Sequence, residues 1–165
     1  MTQFPIQKNE KKTINLTESG DYLVELLGEG AQVEIVGMFE AKEDGKVDIN
    51  LTIIHKSPHT RANTVLKGVA SDKANIRFFG RIIIEPDCGD TQSFLEERIL
   101  LLSDTAKAEA VPELEILTDD VKCSHAASIS RVPEEHLFYL QSRGISKSEA
   151  EKLIVEGFLF RSQVS

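Results

Sequence analysis

The sequence predicts an all-β chain of stacked strands, a solenoid ahead of a two-sheet sandwich, followed by two short helices at the C-terminal end. Three observations carry this. Val47, Ile49, Leu51 and Ile53 alternate with Asp48, Asn50 and Thr52, a period of two that belongs to a half-buried strand. Val33, Ile35, Ile76, Phe78, Ile82 and Ile84 continue the pattern less regularly. Secondly, no amphipathic helix of length appears before Pro133, so from Thr13 to about Ile129 the chain reads as roughly eight to ten strands. Thirdly, hairpin dipeptides are scarce; Asp44-Gly45 is the one candidate, where a sandwich would need several. Gly20, Gly28, Gly30, Gly45, Gly68, Gly80 and Gly89 punctuate the runs and are expected at turns. Ile82-Ile83-Ile84 and Leu100-Leu101-Leu102 are apolar on both faces, as in strands covered on both sides. No fixed repeat period is visible in the sequence.

The pattern changes at Pro133. Proline at a first helical position costs nothing, because its missing N–H would have no partner there, and Glu134 and Glu135 suit the positive end of a helix. Gly144 suits a left-handed C-terminal cap, and Ser146 three residues before Glu149 reads as a capping box. The second helix is expected to end near Glu156, with Gly157 as its stop and Phe158-Leu159-Phe160 as an apolar tip. The expected organisation is a β core over residues 1–131 and a helical segment over 132–165.

Composition narrows the function. The 165 residues carry 27 acidic and 19 basic side chains, a formal charge of −8. Such a surface repels phosphate backbones, so nucleic-acid binding is not expected. No apolar run approaches the ~20 residues of a membrane helix, and no membrane partner is expected. The polar first residues, Met1 to Lys12, form no secretory signal, and two cysteines point to a reducing cytoplasm. No phosphate-cradling glycine loop, Ser–His–Asp order or His-Glu-x-x-His motif is present, so the chain is expected to be no enzyme and to bind no nucleotide itself.

Several ordered blocks then carry a resemblance. Pro112-Glu113-Leu114-Glu115-Ile116, Asp119-Asp120-Val121-Lys122-Cys123-Ser124-His125 and Leu137-Phe138-Tyr139-Leu140-Gln141-Ser142-Arg143-Gly144-Ile145 resemble the C-terminal signature of the SufB/SufD family. His55-Lys56-Ser57-Pro58-His59-Thr60, Lys67-Gly68-Val69-Ala70, Phe79-Gly80-Arg81-Ile82 and Leu100-Leu101-Leu102-Ser103 fall in the family's order upstream. The resemblance implies a right-handed parallel β-helix with C-terminal helices, part of an iron–sulfur cluster assembly scaffold on which clusters are held transiently. It also implies partners, a SufC-like ABC-type ATPase at the C-terminal region and a SufB-like subunit or a second copy of the chain, with the site at the interface between two β-helices. Ala106 stands where SufB members carry a sulfur-accepting cysteine, and Ala126 stands where they carry a glutamate after the motif histidine. Cys123-Ser124-His125-Ala126-Ala127-Ser128 follows the SufD pattern more closely, so the chain resembles a shortened SufD. Relatives have a longer β-helix and an N-terminal helical region. The polar strand they carry before the triple leucine reads here as Phe94, Leu95, Glu96, Glu97 and Ile99.

Cys123 and His125 are the candidate ligands for iron or a cluster. Two apart in a strand, they share a face at about 7 Å along the chain. Thiolate and imidazole are ligand types of iron–sulfur and zinc sites, and two of them need further donors from a second chain. The competing reading is structural, since Val121, Cys123, His125, Ala127 and Ile129 share that face and a free cysteine packs as a small hydrophobe. Asp119 and Asp120 point to opposite faces and are expected in a solvated turn, with Glu115 ambiguous. Cys88 is expected in a loop, and His55 and His59, flanking Pro58, in a turn. Lys8, Lys11 and Lys12 are expected to guard the N-terminal end of the solenoid. The alternative function is a β-helix interaction module that has lost cluster chemistry, and a carbohydrate-processing β-helix enzyme lacks its paired carboxylates.

Overall fold

The computed structural model describes residues 1–160. Ten strands precede two helices. The strands are β1 (Thr2–Ile6), β2 (Lys11–Leu16), β3 (Gly20–Leu26), β4 (Gln32–Ala41), β5 (Lys46–His55), β6 (Arg61–Ala70), β7 (Asn75–Ile84), β8 (Thr91–Leu101), β9 (Lys107–Ile116) and β10 (Val121–Arg131). The helices are α1 (Glu134–Ser142) and α2 (Lys147–Phe160). Odd strands stack as β1-β3-β5-β7-β9 and even strands as β10-β8-β6-β4-β2. Every neighbouring pair is parallel. This is a β-solenoid: each turn adds one strand to each sheet, and the two inner faces meet in one lumen.

The alternation read from the sequence fills that lumen. Ile49, Leu51 and Ile53 from β5 lie beside Phe78, Gly80 and Ile82 of β7, and all but the glycine belong to one buried cluster with Ile35, Leu66, Leu95 and Ile99 of the opposite sheet. The repeat is uneven. Thr2 pairs with Tyr22, Lys46 with Asn75 and Asn75 with Lys107, offsets of 20, 29 and 32 residues. The pairings beyond the first rung lie between 29 and 32 residues apart, so a short first rung and small differences in turn length blur a sequence period while leaving the strand register intact.

Gly28, Gly30, Gly45 and Gly89 lie in turns as expected, but most left-handed corners are held by other residues. Asn9, Glu43, His59, Asp72, Asp87 and Asp90 hold the left-handed conformation at the corners, with φ between 53 and 62°. Asn and Asp accept that region at low cost because their short side chains bond locally. Gly68 and Gly80 lie instead within β6 and β7 and face the lumen. A Cβ at Gly80 would come within 2.5 Å of the Glu97 carboxyl and of Leu95, so the glycine is there for space.

Pro133 is the N-cap of α1, one residue ahead of the first helical position. Gly144 closes the helix at φ 87°, as expected. The Ser146 hydroxyl accepts from the Glu149 N–H at 3.3 Å and caps α2. Gly157 does not end α2; the helix runs on through Phe160. Its last turn is stabilised by packing that outweighs the ~1 kcal/mol cost of a helical glycine. Val155 and Leu159 bury against Val69 and Leu100 on the outer face of the even sheet. Phe158 lies between Lys67 and Arg98, at 5.9 and 5.6 Å from its ring, and its carbonyl accepts from the Lys67 Nζ at 3.1 Å. α1 buries no residue.

Candidate functional site

The terminal strand β10 pairs with β8 on one side and is the edge of its sheet. Cys123 stands opposite Ser93, His125 opposite Leu95 and Ala127 opposite Glu97. Those three β8 residues are fully or nearly fully buried in the lumen. Cys123 and His125 therefore take lumen-facing positions in a rung that, among the described residues, has no further strand over it. His125 is exposed and Cys123 half-buried. Burial pushes the Cys123 thiol up, so it is a protonated thiol at neutral pH until a metal or a base takes its proton. The opposite wall of this rung comes from β9, where Ala108, Ala110, Pro112, Leu114 and Ile116 take the positions of Ile76, Phe78, Gly80, Ile82 and Ile84. The mouth of the solenoid thus carries one thiol and one imidazole within an apolar frame. Among the described residues no group of three or more His, Cys, Asp and Glu side chains is placed to hold a metal ion. A closed metal site would need donors beyond these two.

The other candidates fall elsewhere. Asp119 and Asp120 form the turn into β10, where the Asp120 carbonyl accepts from the Asp90 N–H at 2.7 Å. Glu115 points outward and pairs with Arg81 at 2.8 Å. Ala106 is buried at the corner before β9, and Ala126 is exposed on β10. Cys88 lies in the loop between β7 and β8, as expected, but is buried, with its thiol against the His55 carbonyl at 3.5 Å. Burial and the nearby Glu85 and Asp87 carboxylates raise its pKa. This is a structural cysteine. Lys12 faces the lumen opposite Val33, and its ammonium sits 5.6 Å from the Phe4 ring at the N-terminal end.

The two upstream histidines part company. His59 is in a turn as expected, exposed at φ 58°, and donates through Nδ1 to Asp90 at 2.7 Å. That hydrogen bond, with a second from Arg61, holds the Asp90 carboxyl below its usual range. His55, expected in the same turn, is the last residue of β5 and fully buried. The Thr60 hydroxyl donates to the Ser57 carbonyl at 3.2 Å, so it accepts from His55 Nδ1 at 2.7 Å. Nε2 then accepts from the Ser93 hydroxyl at 2.9 Å. Desolvation lowers the His55 pKa to about 4, so the ring is neutral. Ser93 is the residue stacked on Cys123, yet a base with a pKa near 4 cannot ionise a thiol whose own pKa is raised. The His55 group is a structural anchor beneath the site.

Glu97 escaped the sequence reading. Its side chain is fully buried, and neither carboxyl oxygen has a hydrogen-bond partner among the described residues. Desolvation raises its pKa to about 7. The signal was present: Ser93, Leu95, Glu97 and Ile99 share one parity, which places the glutamate on the inner face once the strand is known.

Comparison with known proteins agrees with this architecture. Residues 13–158 match the family model described as SUF system FeS cluster assembly, SufBD core domain. An iron–sulfur cluster assembly SufBD family protein of Mycobacterium leprae is 33% identical over 143 residues, covering 82% of this chain and 36% of that protein. A similarly named protein of Staphylococcus saprophyticus is 33% identical over 134 residues, covering 81% of this chain and 29% of that protein. The chain spans about a third of the length of these curated relatives. The match over residues 13–158 and the 33% identity to these relatives place the chain in the SufBD family of iron–sulfur cluster assembly proteins.

Proposed function

We propose that this chain is a SufD-like scaffold subunit that pairs with a second β-helix, a SufB-like chain or another copy of itself, and works with a SufC-like ATPase. The single observation that supports it is the terminal rung, where Cys123 and His125 face a lumen that no further strand covers among the described residues. Iron or a nascent cluster is the cargo, and a partner chain supplies the remaining donors. Metal binding would take the thiol proton, since the ligand is the thiolate. β10 and β9 are the edges of their sheets, and unpaired strand edges are templates for a second chain. Ala106 in place of the sulfur-accepting cysteine favours the SufD-like role over the SufB-like one.

The helices suit the ATPase. Phe138, Tyr139, Leu153 and Phe160 are large apolar side chains left exposed on α1 and α2, the material of a helix-borne docking face. The chain itself carries no nucleotide site in this reading, is not an enzyme, and works in the cytoplasm. Among the described residues no helix is long and apolar enough to cross a membrane.

Anaerobic reconstitution with iron and sulfide, alone and with a SufB-like chain and its ATPase, tests the proposal. Cluster absorbance that needs the partner and falls on His125→Ala is expected. No ATPase binding and no cluster uptake in any combination would sink it. The raised Cys123 pKa and the lack of a third ligand favour one other reading, an interaction module without cluster chemistry. In that case His125→Ala leaves function in cells unchanged.

A further inference from the structure

Among the described residues the buried side-chain oxygens without a hydrogen-bond partner are three: both carboxyl oxygens of Glu97 and the hydroxyl of Thr64. Both residues are fully buried and face the lumen from adjacent strands of the even sheet. Thr64 pairs with Leu95 and Leu66 with Glu97, which sets the two polar residues two positions apart along the register. Leaving such groups unpaired destabilises the fold, and in native proteins they are commonly joined by buried water.

We propose that Glu97 and Thr64 bind an internal water in the lumen, between the first and second rungs beneath Cys123 and His125.

The inner faces around Glu97 are built small. Gly80 lies across the lumen, and a Cβ there would reach 2.5 Å from Oε1. The next rung places Pro112 beside Gly80 and Ala127 beside Glu97, with Ala110 beside Phe78. Ala127 and Ala110 are smaller than the residues they cover, so side-chain bulk thins over the carboxyl. The chemistry selects water over a metal ion, because hard cations need several oxygens and no group of three acidic or ligating side chains surrounds this point. Burial keeps Glu97 a protonated acid below pH 7, so it donates its one O–H to the water, which donates in turn to Thr64. The inner residues beside Glu97 on its own and neighbouring strands, Leu66, Leu95, Ile99, Ala127 and Gly80, are uncharged. This inference rests on burial and pairing alone and stands whether or not the mouth holds iron.

The test uses the whole chain. A high-resolution crystal structure is expected to show one water within hydrogen-bond distance of a Glu97 oxygen and Thr64 Oγ1. Solution spectra are expected to show a long-lived water cross-peak to the β-proton of residue 64. Thr64→Ser keeps that cross-peak and Thr64→Val loses it, with both variants folded. A folded wild type with no cross-peak and no density between the two side chains overturns the proposal. Density with metal-like distances and an anomalous signal also overturns it, in favour of a cation.

Discussion

His55 and Glu97 are both ionisable, both sealed in the same lumen, and opposite in how they are accommodated. His55 closes β5 at a corner where Thr60, Ser93 and a backbone carbonyl of the turn converge, so each ring nitrogen has a partner. Glu97 lies mid-strand, where the inner face offers Leu95, Ile99 and Gly80 and no partner for its oxygens. Corners of a solenoid carry turn residues with hydroxyls and free carbonyls; the middle of a rung carries ladder-bonded backbone and apolar side chains. Position along the rung, and not depth of burial, decides whether a buried charge-bearing group is anchored or stranded.

The largest expected effect is at the anchored group. His55→Ala removes a buried ring and strands Ser93 and Thr60, at a cost of about 3–5 kcal/mol in urea unfolding. A loss under ~1 kcal/mol would mean that the corner is held without the histidine.

Glu97→Gln comes next and runs in the opposite direction. The folded pKa of about 7 lies above the ordinary 4.5. The wild type is therefore most stable below 4.5 with respect to this group and loses stability as pH rises to 7. Above pH 7 the variant is expected to be more stable than the wild type by about 3 kcal/mol, and near pH 4 the two should match. His55 works the other way: its pKa falls from 6.5 to about 4, so stability is complete above 6.5 and is lost as pH falls toward 4. Between pH 4.5 and 6.5 the two slopes cancel. Glu97→Gln should uncover a rise of ~1.4 kcal/mol per pH unit across that window. A variant profile as flat as the wild type would dissolve the contrast.

Outside the lumen the effects shrink. Phe158→Ala removes the ring held by Lys67 and Arg98. Hydrogen exchange is expected to quicken in α2 by about 1–2 kcal/mol of local stability and to stay unchanged in β4 to β8. His125→Ala is the smallest: the residue is exposed, so stability should move by less than ~0.5 kcal/mol. Any phenotype of that variant then reports on function.

Much of the core was legible before the structure. The parity of Val47, Ile49, Leu51 and Ile53 gives their face directly, and the helix signals from Glu134 to Glu149 use local chemistry that tertiary contacts leave alone. Cys123 and His125 were recognisable as sharing a face for the same reason. What was hidden depended on neighbours distant in sequence. Gly68 and Gly80 read as turn signals because nothing local tells a turn glycine from one that clears space for Phe78 or Glu97. His55 read as a turn residue because Ser93, its partner, lies in another rung. Gly157 read as a stop because the packing of Leu159 on Val69 and Leu100 is invisible along the chain.

By itself the sequence determined most strands, their inner and outer faces and where the helices start, since each follows from the alternation of a strand or the caps of a helix. Only the tertiary structure decided which rung lies over which, because turns that differ by one to three residues blur the repeat along the sequence. That stacking put Cys123 over Ser93, left His125 in the mouth and stranded Glu97 beneath it. The physical reason is that backbone ladders fix register between strands some thirty residues apart, and the partners of a buried polar group are chosen by that register alone.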